Sequence, residues 1–241
     1  VDVRPDEILD FQKEIGSDII TILDRFTEPE DSFELAKEKV VDTVERAEEA
    51  VDNQNEKDHY LSLPIQGSVY PELRKMAGEK ISDLEGRAIY PIGGVVPLME
   101  DYRFSDLAEV IIASKKGLGP KGPVHLFGAG HPMIFPLAVL LGCDLFDSSS
   151  YVKYARRGDL MFSTGTKNID NIEYLSCSCP SCSSIDLEEL KQMEEEKKVK
   201  NIAEHNLWTL FKEIDKIKQA IRDENLWELV ERRLRAHPDL Y

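Results

Sequence analysis

Short apolar runs alternate with amphipathic stretches along the chain as far as Asp147, a pattern that predicts repeated strand–helix units around a parallel sheet. The apolar runs are Asp18–Leu23, Tyr60–Ile65, Ala88–Ile92, Val124–Phe127 and Cys143–Phe146. Helical stretches lie between them at about Ser32–Asn53, Tyr70–Ser82, Phe104–Ser114 and Pro132–Leu141, and helix-like Pro5–Ile15 leads into the first strand. Each strand closes on a polar or glycine-rich step: Asp24, Gln66-Gly67-Ser68, Gly93-Gly94, Gly128-Ala129-Gly130 and Asp147-Ser148. In α/β barrels functional groups sit at the C-terminal ends of strands, so these steps are expected on one rim. The expected fold is α/β, a (β/α)8 TIM barrel of which these are about the last five units. Closure removes sheet edges, and about three units are missing upstream. After Asp147 the alternation stops, and largely helical sequence runs from about Leu187 to Ala236, the last amphipathic helix ending near Pro238. The expected division is a partial barrel over residues 1–160 and a zinc-binding, helical C-terminal part over residues 161–241.

Three of the four cysteines fall in Cys177-Ser-Cys179-Pro-Ser-Cys182, with His205 following in a helical stretch. Three thiolates and one imidazole complete the tetrahedral shell of a structural Zn²⁺ and leave no open position. Unrelated free cysteines, or a disulfide among such close neighbours, fit the spacing less well.

With 241 residues and 41% hydrophobic positions the chain can build a sizeable core, and no run approaches the ~20 apolar residues of a membrane span. The polar start at Val1, without an initiator Met, suggests a beginning inside a longer protein, and reduced, metal-binding cysteines suggest the cytoplasm. A net charge of −16 is unusual for a nucleic-acid binder. Much of it lies around Glu28–Asp58 and Asp186–Glu196, where it reads as solvated helix faces, while Lys153, Arg156 and Arg157 form a local basic feature.

At the strand ends, Asp147 is placed to attack an electrophilic carbon or transfer a proton, and equally to cap the next helix; Asp24 has the same two readings. Gln66 offers an amide to a polar ring edge, Gly93-Gly94-Val95 offers main-chain groups, and Phe127 offers a face for stacking. Each glycine step alone reads as a tight turn. Together the set suits a flat heterocycle carrying donors and acceptors. His125 and His131 read as structural, and Cys143 as a buried hydrophobe.

The stretches Pro64-Ile-Gln-Gly-Ser-Val-Tyr70, Ile92-Gly-Gly-Val-Val-Pro-Leu-Met-Glu-Asp-Tyr102, His125-Leu-Phe-Gly-Ala-Gly-His-Pro132 and Gly142-Cys-Asp-Leu-Phe-Asp-Ser148, with the Cys177/Cys179/Cys182/His205 set, resemble the tRNA-guanine transglycosylases. The wording is closer to the archaeal, archaeosine-forming branch than to the queuine branch. The resemblance implies exchange of guanine at position 15 of the tRNA D-loop for 7-cyano-7-deazaguanine. It implies Asp147 as the nucleophile that forms a covalent aspartyl-ribose intermediate, and Asp24, Gln66, Gly93, Gly94, Val95 and Phe127 as base contacts. It also implies one structural Zn²⁺, tRNA as partner and a homodimer of the complete protein. The family's other catalytic aspartate, in an Asp-Ser-Gly-type motif, has no counterpart in these residues. Two alternatives remain at the level of sequence: a non-catalytic tRNA-binding or scaffold subunit or inactive fragment, and a paralogue acting on the modified base, which would have lost Asp147.

Overall fold

A computed structural model describes residues 3–53 and 59–236; Pro238, where the last helix was expected to end, lies outside them. In chain order the elements are α1 (Pro5–Glu14), β1 (Ile19–Thr21), α2 (Phe33–Asp52), β2 (Tyr60–Ser62), α3 (Pro71–Ser82), β3 (Ala88–Ile92), α4 (Val96–Glu100), α5 (Phe104–Leu118), β4 (Val124–Leu126), α6 (Phe135–Leu140) and β5 (Leu145–Phe146). Then come α7 (Ser150–Ala155), β6 (Asp159–Phe162), β7 (Gly165–Asn168), a 3₁₀ turn at Ile169–Asn171, α8 (Pro180–Ser184), α9 (Leu187–Gln192), α10 (Glu195–Arg222) and α11 (Leu226–Ala236). The chain divides into two compact units, one of residues 1–127 and 141–146, the other of residues 128–140 and 147–241.

In the first unit the strands form one parallel sheet in the order β1-β2-β3-β4-β5, with Ile20 opposite Leu61, Ser62 opposite Ile89, and Leu126 opposite Phe146. Helical crossovers let successive strands run parallel, which is why apolar runs separated by amphipathic stretches pair in sequence order. Strands covered on both faces read as continuous apolar runs, and Leu61, Leu63 and Ile65, like Ile89, Tyr90 and Ile92, are all buried. The hydrogen-bonded strands are shorter than the apolar runs: β1 covers three residues of Asp18–Leu23, and β5 only Leu145 and Phe146. The flanking apolar residues Ile22 and Cys143 are buried beside the ladder.

The helix α2 shows why the acidic stretch folds at all. Ala36, Val40, Val44 and Ala47 recur at helical spacing and are buried, so its Glu and Lys residues project from the other face. The Ser32 hydroxyl accepts the Leu35 N–H and caps its start.

The second unit holds what the alternation could not show, an antiparallel hairpin of β6 and β7 pairing Leu160 with Lys167 and Met161 with Thr166. Its core is Ala155, Leu160, Ile169, Leu187, Leu190 and Ile202. Leu187 and Leu190 come from α9, and Ile202 from α10, which also buries Leu210, Ile217 and Ala220 together with the polar His205, Asn206 and Glu213. Glu213 is buried there and takes two hydrogen bonds from Arg233 of α11, at 2.6 and 2.9 Å. Among the described residues no helix is long and apolar enough to cross a membrane.

Candidate functional site

Asp24 follows β1 in an extended segment and does not cap a helix, since α2 begins much later at its own Ser32 cap. Its Oδ2 accepts a 2.6 Å hydrogen bond from Gln66 Nε2. Burial pushes the Asp24 carboxyl above its ordinary range, while the Gln66 bond, its own main chain and Arg46 pull the other way.

Gln66 follows β2 and is itself buried. Its Oε1 accepts from the Thr27 hydroxyl at 2.7 Å and from the Thr27 N–H at 3.2 Å. Gly93 and Gly94, after β3, close against the same amide. A Cβ at Gly93 would collide with Gln66 Nε2, and one at Gly94 would lie 2.6 Å from the Thr27 carbonyl oxygen, in a backbone with φ of +71°. Glycine is needed here for space and for a left-handed conformation.

The turn carrying Gln66 is held from three sides. Ser68 has φ of +52°, a strained conformation for a residue with a side chain. Its N–H donates to Thr27 Oγ1 at 2.8 Å and its hydroxyl donates to the Glu28 carbonyl at 2.7 Å. Its carbonyl accepts from Arg74 Nε at 2.8 Å. Arg74 lies on α3, is fully buried, and gives Nη1 to the carbonyls of Ile65 at 2.7 Å and Gly93 at 2.8 Å. One guanidinium thus ties the end of β2, the Gly67–Ser68 turn and the Gly93 step together. Burial pulls it down to about 9, so it stays charged at neutral pH.

The loop from Asp24 to Ser32 is anchored by Asp31, which accepts from Lys39 Nζ at 2.7 Å and from the Glu28 N–H at 2.8 Å. Burial works against its charge, but these bonds win and hold the carboxyl below its usual range.

Val95 is buried and precedes α4. Phe127 follows β4, donates its N–H to the Ile92 carbonyl at 3.3 Å, and meets the His125 ring edge-on at 4.7 Å. The structure therefore joins Asp24, Gln66, Gly93 and Gly94 by direct contact and ties Phe127 to the end of β3 through its main chain.

Asp147 belongs to the second unit. The residue at the cap position of α7 is Ser149, so the capping reading of Asp147 falls away. Its carboxylate is exposed, with Oδ1 accepting from the Gly128 N–H at 2.8 Å. The loops bearing these two residues are stitched together nearby: Ser150 Oγ donates to the Gly130 carbonyl at 2.7 Å and accepts from Ser148 Oγ at 2.8 Å. The His131 Nδ1 accepts the Met133 N–H at 3.2 Å, which leaves Nε2–H to donate to Thr166 Oγ1 at 2.9 Å.

Also in the second unit, Cys177, Cys179, Cys182 and His205 present one ligand atom each, all within 4.8 Å of one another. Cys179 caps α8, and its sulfur accepts the Cys182 N–H at 3.3 Å. His205 comes from α10. A carbonyl oxygen can only accept, so the 3.0 Å contact with Met161 O puts the proton on Nε2 and leaves the Nδ1 lone pair facing Cys182 Sγ at 3.4 Å and Cys179 Sγ at 3.7 Å. A tetrahedral ion with bonds of ~2.1 Å to nitrogen and ~2.3 Å to sulfur would set N and S about 3.6 Å apart. The donor set fits such an ion. Burial lowers the His205 imidazole, favouring the neutral ligand form, and raises the Cys177 and Cys182 thiols, a penalty that a bound cation would offset. Asn206, next to His205, fixes the hairpin to α10: it accepts the Met161 N–H at 2.7 Å and donates to the Tyr151 and Asp159 carbonyls at 3.0 Å each.

Sequence reasoning missed Thr27, Arg74 and Asn206. Each is a polar residue without a motif, and its importance lies in main-chain groups distant in sequence.

Residues 1–239 match the family described as Queuine tRNA-ribosyltransferase. The whole chain aligns with proteins named tRNA-guanine(15) transglycosylase, at 49% identity with that of Pyrococcus furiosus over 40% of its length, and at 51% with that of Methanosarcina mazei over 48% of its length. The relative from Thermococcus kodakarensis is 49% identical, with 41% of its length covered. The chain thus spans less than half of each of these relatives. A match along nearly all of its residues shows that the chain belongs to the queuine tRNA-ribosyltransferase (tRNA-guanine transglycosylase) family.

Proposed function

We propose that this chain is the later part of the catalytic domain of a tRNA-guanine transglycosylase acting at position 15 of tRNA, exchanging guanine for 7-cyano-7-deazaguanine on the way to archaeosine. The observation that carries the reading is the Asp24–Gln66–Thr27 cluster, a carboxylate and a locked amide at the ends of adjacent strands beside a glycine step. Such a set suits the edge of a guanine-like base, which offers N–H groups to a carboxylate and a carbonyl to an amide. Gly93, Gly94 and Val95 supply main-chain contacts and Phe127 a stacking face. The relatives' printed names support the base and the position.

Asp147 is the nucleophile in this reading. Its carboxylate attacks ribose C1′, the C1′–N9 bond breaks, and the electron pair leaves with guanine, which takes up a proton. The incoming base then forms a new bond at C1′, loses a proton and releases Asp147, so the two displacements are chemically alike. The carboxylate is exposed, and its Gly128 N–H contact orients it. The target nucleotide has to leave its stack to react.

Cys177, Cys179, Cys182 and His205 are proposed to hold one structural Zn²⁺. The ion supplies no step of the exchange and fixes the fold of the helical part. The five-stranded parallel sheet is read as part of a (β/α)8 barrel over residues 1–160, with residues 161–241 as the zinc-binding portion. A cytoplasmic enzyme that works on tRNA as a homodimer completes the reading.

The test uses the protein as encoded, with all chain that flanks these residues. Incubation with tRNA and radiolabelled guanine is expected to label the tRNA. Asp147→Asn is expected to abolish labelling, and with it the protein–tRNA adduct that survives denaturing electrophoresis. Labelling retained by Asp147→Asn refutes the nucleophile assignment; tRNA binding without exchange by the parent protein refutes the enzyme reading in favour of a binding subunit.

A further inference from the structure

We infer that Thr27 is a positioning residue whose hydroxyl sets the donor–acceptor polarity of the Gln66 amide, so that the site takes a purine with a carbonyl, rather than an amino group, on the recognised edge. The inference rests on the base-exchange reading for its substrate. The lock itself rests on hydrogen bonds whose directions leave no choice.

Thr27 is fully buried on the loop after β1. Its hydroxyl oxygen accepts from two main-chain donors, the Gly67 N–H at 3.3 Å and the Ser68 N–H at 2.8 Å. Neither can accept in return, so the hydroxyl's single proton is free for the third neighbour, Gln66 Oε1 at 2.7 Å. The Thr27 N–H also points at Oε1, at 3.2 Å, and it too can only donate. The amide oxygen is therefore the atom facing Thr27, and Nε2 is turned to Asp24, whose carboxylate accepts at 2.6 Å. Exchanging the amide's oxygen and nitrogen would set two donors against Nε2 and a carboxylate against Oε1, losing three hydrogen bonds together.

Nε2 carries a second hydrogen, which meets no acceptor among the described residues. Nε2 itself packs against Gly93, where a Cβ would stand only 2.3 Å from it, so the glycine is what lets the amide hold this position. A ligand carbonyl oxygen can take this hydrogen; a ligand amino group meets donor against donor. Sites built around a specific polar pairing reject the mismatched analogue strongly, because a buried group is then left unpaired. The spacing of the contact explains why Thr27 is absent from any motif: it acts on a residue 39 positions away.

The test compares Thr27→Val, which keeps the shape and removes the hydroxyl, with Thr27→Ser, which restores it. In the protein as encoded, Thr27→Val is expected to lower kcat/KM for guanine exchange about tenfold or more, and to narrow the preference for guanine over 2,6-diaminopurine by a similar factor. Thr27→Ser is expected to stay within about threefold of the parent. In a Gln66→Ala background Thr27→Val should have almost no further effect on base preference, since the two residues act as one unit. An equal effect in both backgrounds means that Thr27 only supports the Gly67–Ser68 turn, and overturns the inference. A readout that needs no activity separates failure of this inference from failure of the transglycosylase reading. Exchange of the Gln66 side-chain amide protons with deuterium, followed by nuclear magnetic resonance, is expected to be slow in the parent and Thr27→Ser and at least tenfold faster in Thr27→Val. Equal rates in Thr27→Val and the parent refute the lock, whether or not base exchange is found.

Discussion

Arg74→Met isolates the contribution of one guanidinium to the architecture of the base-recognition cluster. Arg74 is fully buried and has no carboxylate partner among its hydrogen bonds, so its charge is costly. Against that cost stand three charge-assisted bonds to the carbonyls of Ser68, Ile65 and Gly93, each worth about 1.5–3 kcal/mol. Methionine fills much of the space but leaves three buried carbonyls without a donor, while relieving the desolvated charge and the Nη2 atom that has no partner. The opposing effects leave a net loss of about 3 kcal/mol, or roughly 6–12 °C in Tm for a chain of this size. The assay is denaturant unfolding followed by circular dichroism, with a thermal melt alongside. Because the carbonyls belong to the turn after Gln66 and to the Gly93 step, the variant is also expected to raise KM for the base under conditions where it remains folded. An unchanged or raised stability would refute the reasoning, and would show that burying the charge costs more than its three bonds return, as replaced buried ion pairs can.

Two further outcomes follow from other parts of the molecule. Chelator under reducing conditions, or His205→Ala, is expected to remove one tightly bound metal ion per chain, measured by elemental analysis, and to lower Tm by several degrees; full thermal stability after metal loss would refute a structural role for the Cys177/Cys179/Cys182/His205 centre. Asp31 has its carboxyl held below the unfolded value, so its stabilisation is fully present above about pH 4 and is lost as pH falls through the folded value. Asp31→Asn should therefore be less stable at neutral pH and lose less on acidification, and unfolding curves that stay parallel across the acid limb would refute that assignment.

The sequence by itself determined the order of the five strands and of α1, α2, α3 and α5 in the first unit, because apolar runs and the 3.6-residue helical period are local, while the short α4 was not foreseen. It also determined the candidate metal ligands, since three cysteines within one turn carry their own geometry, and it located Asp24, Gln66 and Asp147 at strand ends. It overestimated strand lengths, because burial extends beyond the hydrogen-bonded ladder: Ile22 and Cys143 are buried although neither belongs to a strand. The β6–β7 hairpin escaped the pattern because Gly165–Asn168 is polar, and its β6 strand is fixed by Asn206 from the distant α10. Only the tertiary structure showed that Ser149, and not Asp147, stands at the head of α7. Only it decided the proton positions on His205 and the amide direction of Gln66. Hydrogen-bond polarity is a property of groups brought together in space: the Met161 carbonyl acts on His205 from 44 residues away, and Thr27 acts on Gln66 from 39. Periodicity along a chain carries no record of such directions, which exist only once the donors and acceptors have met.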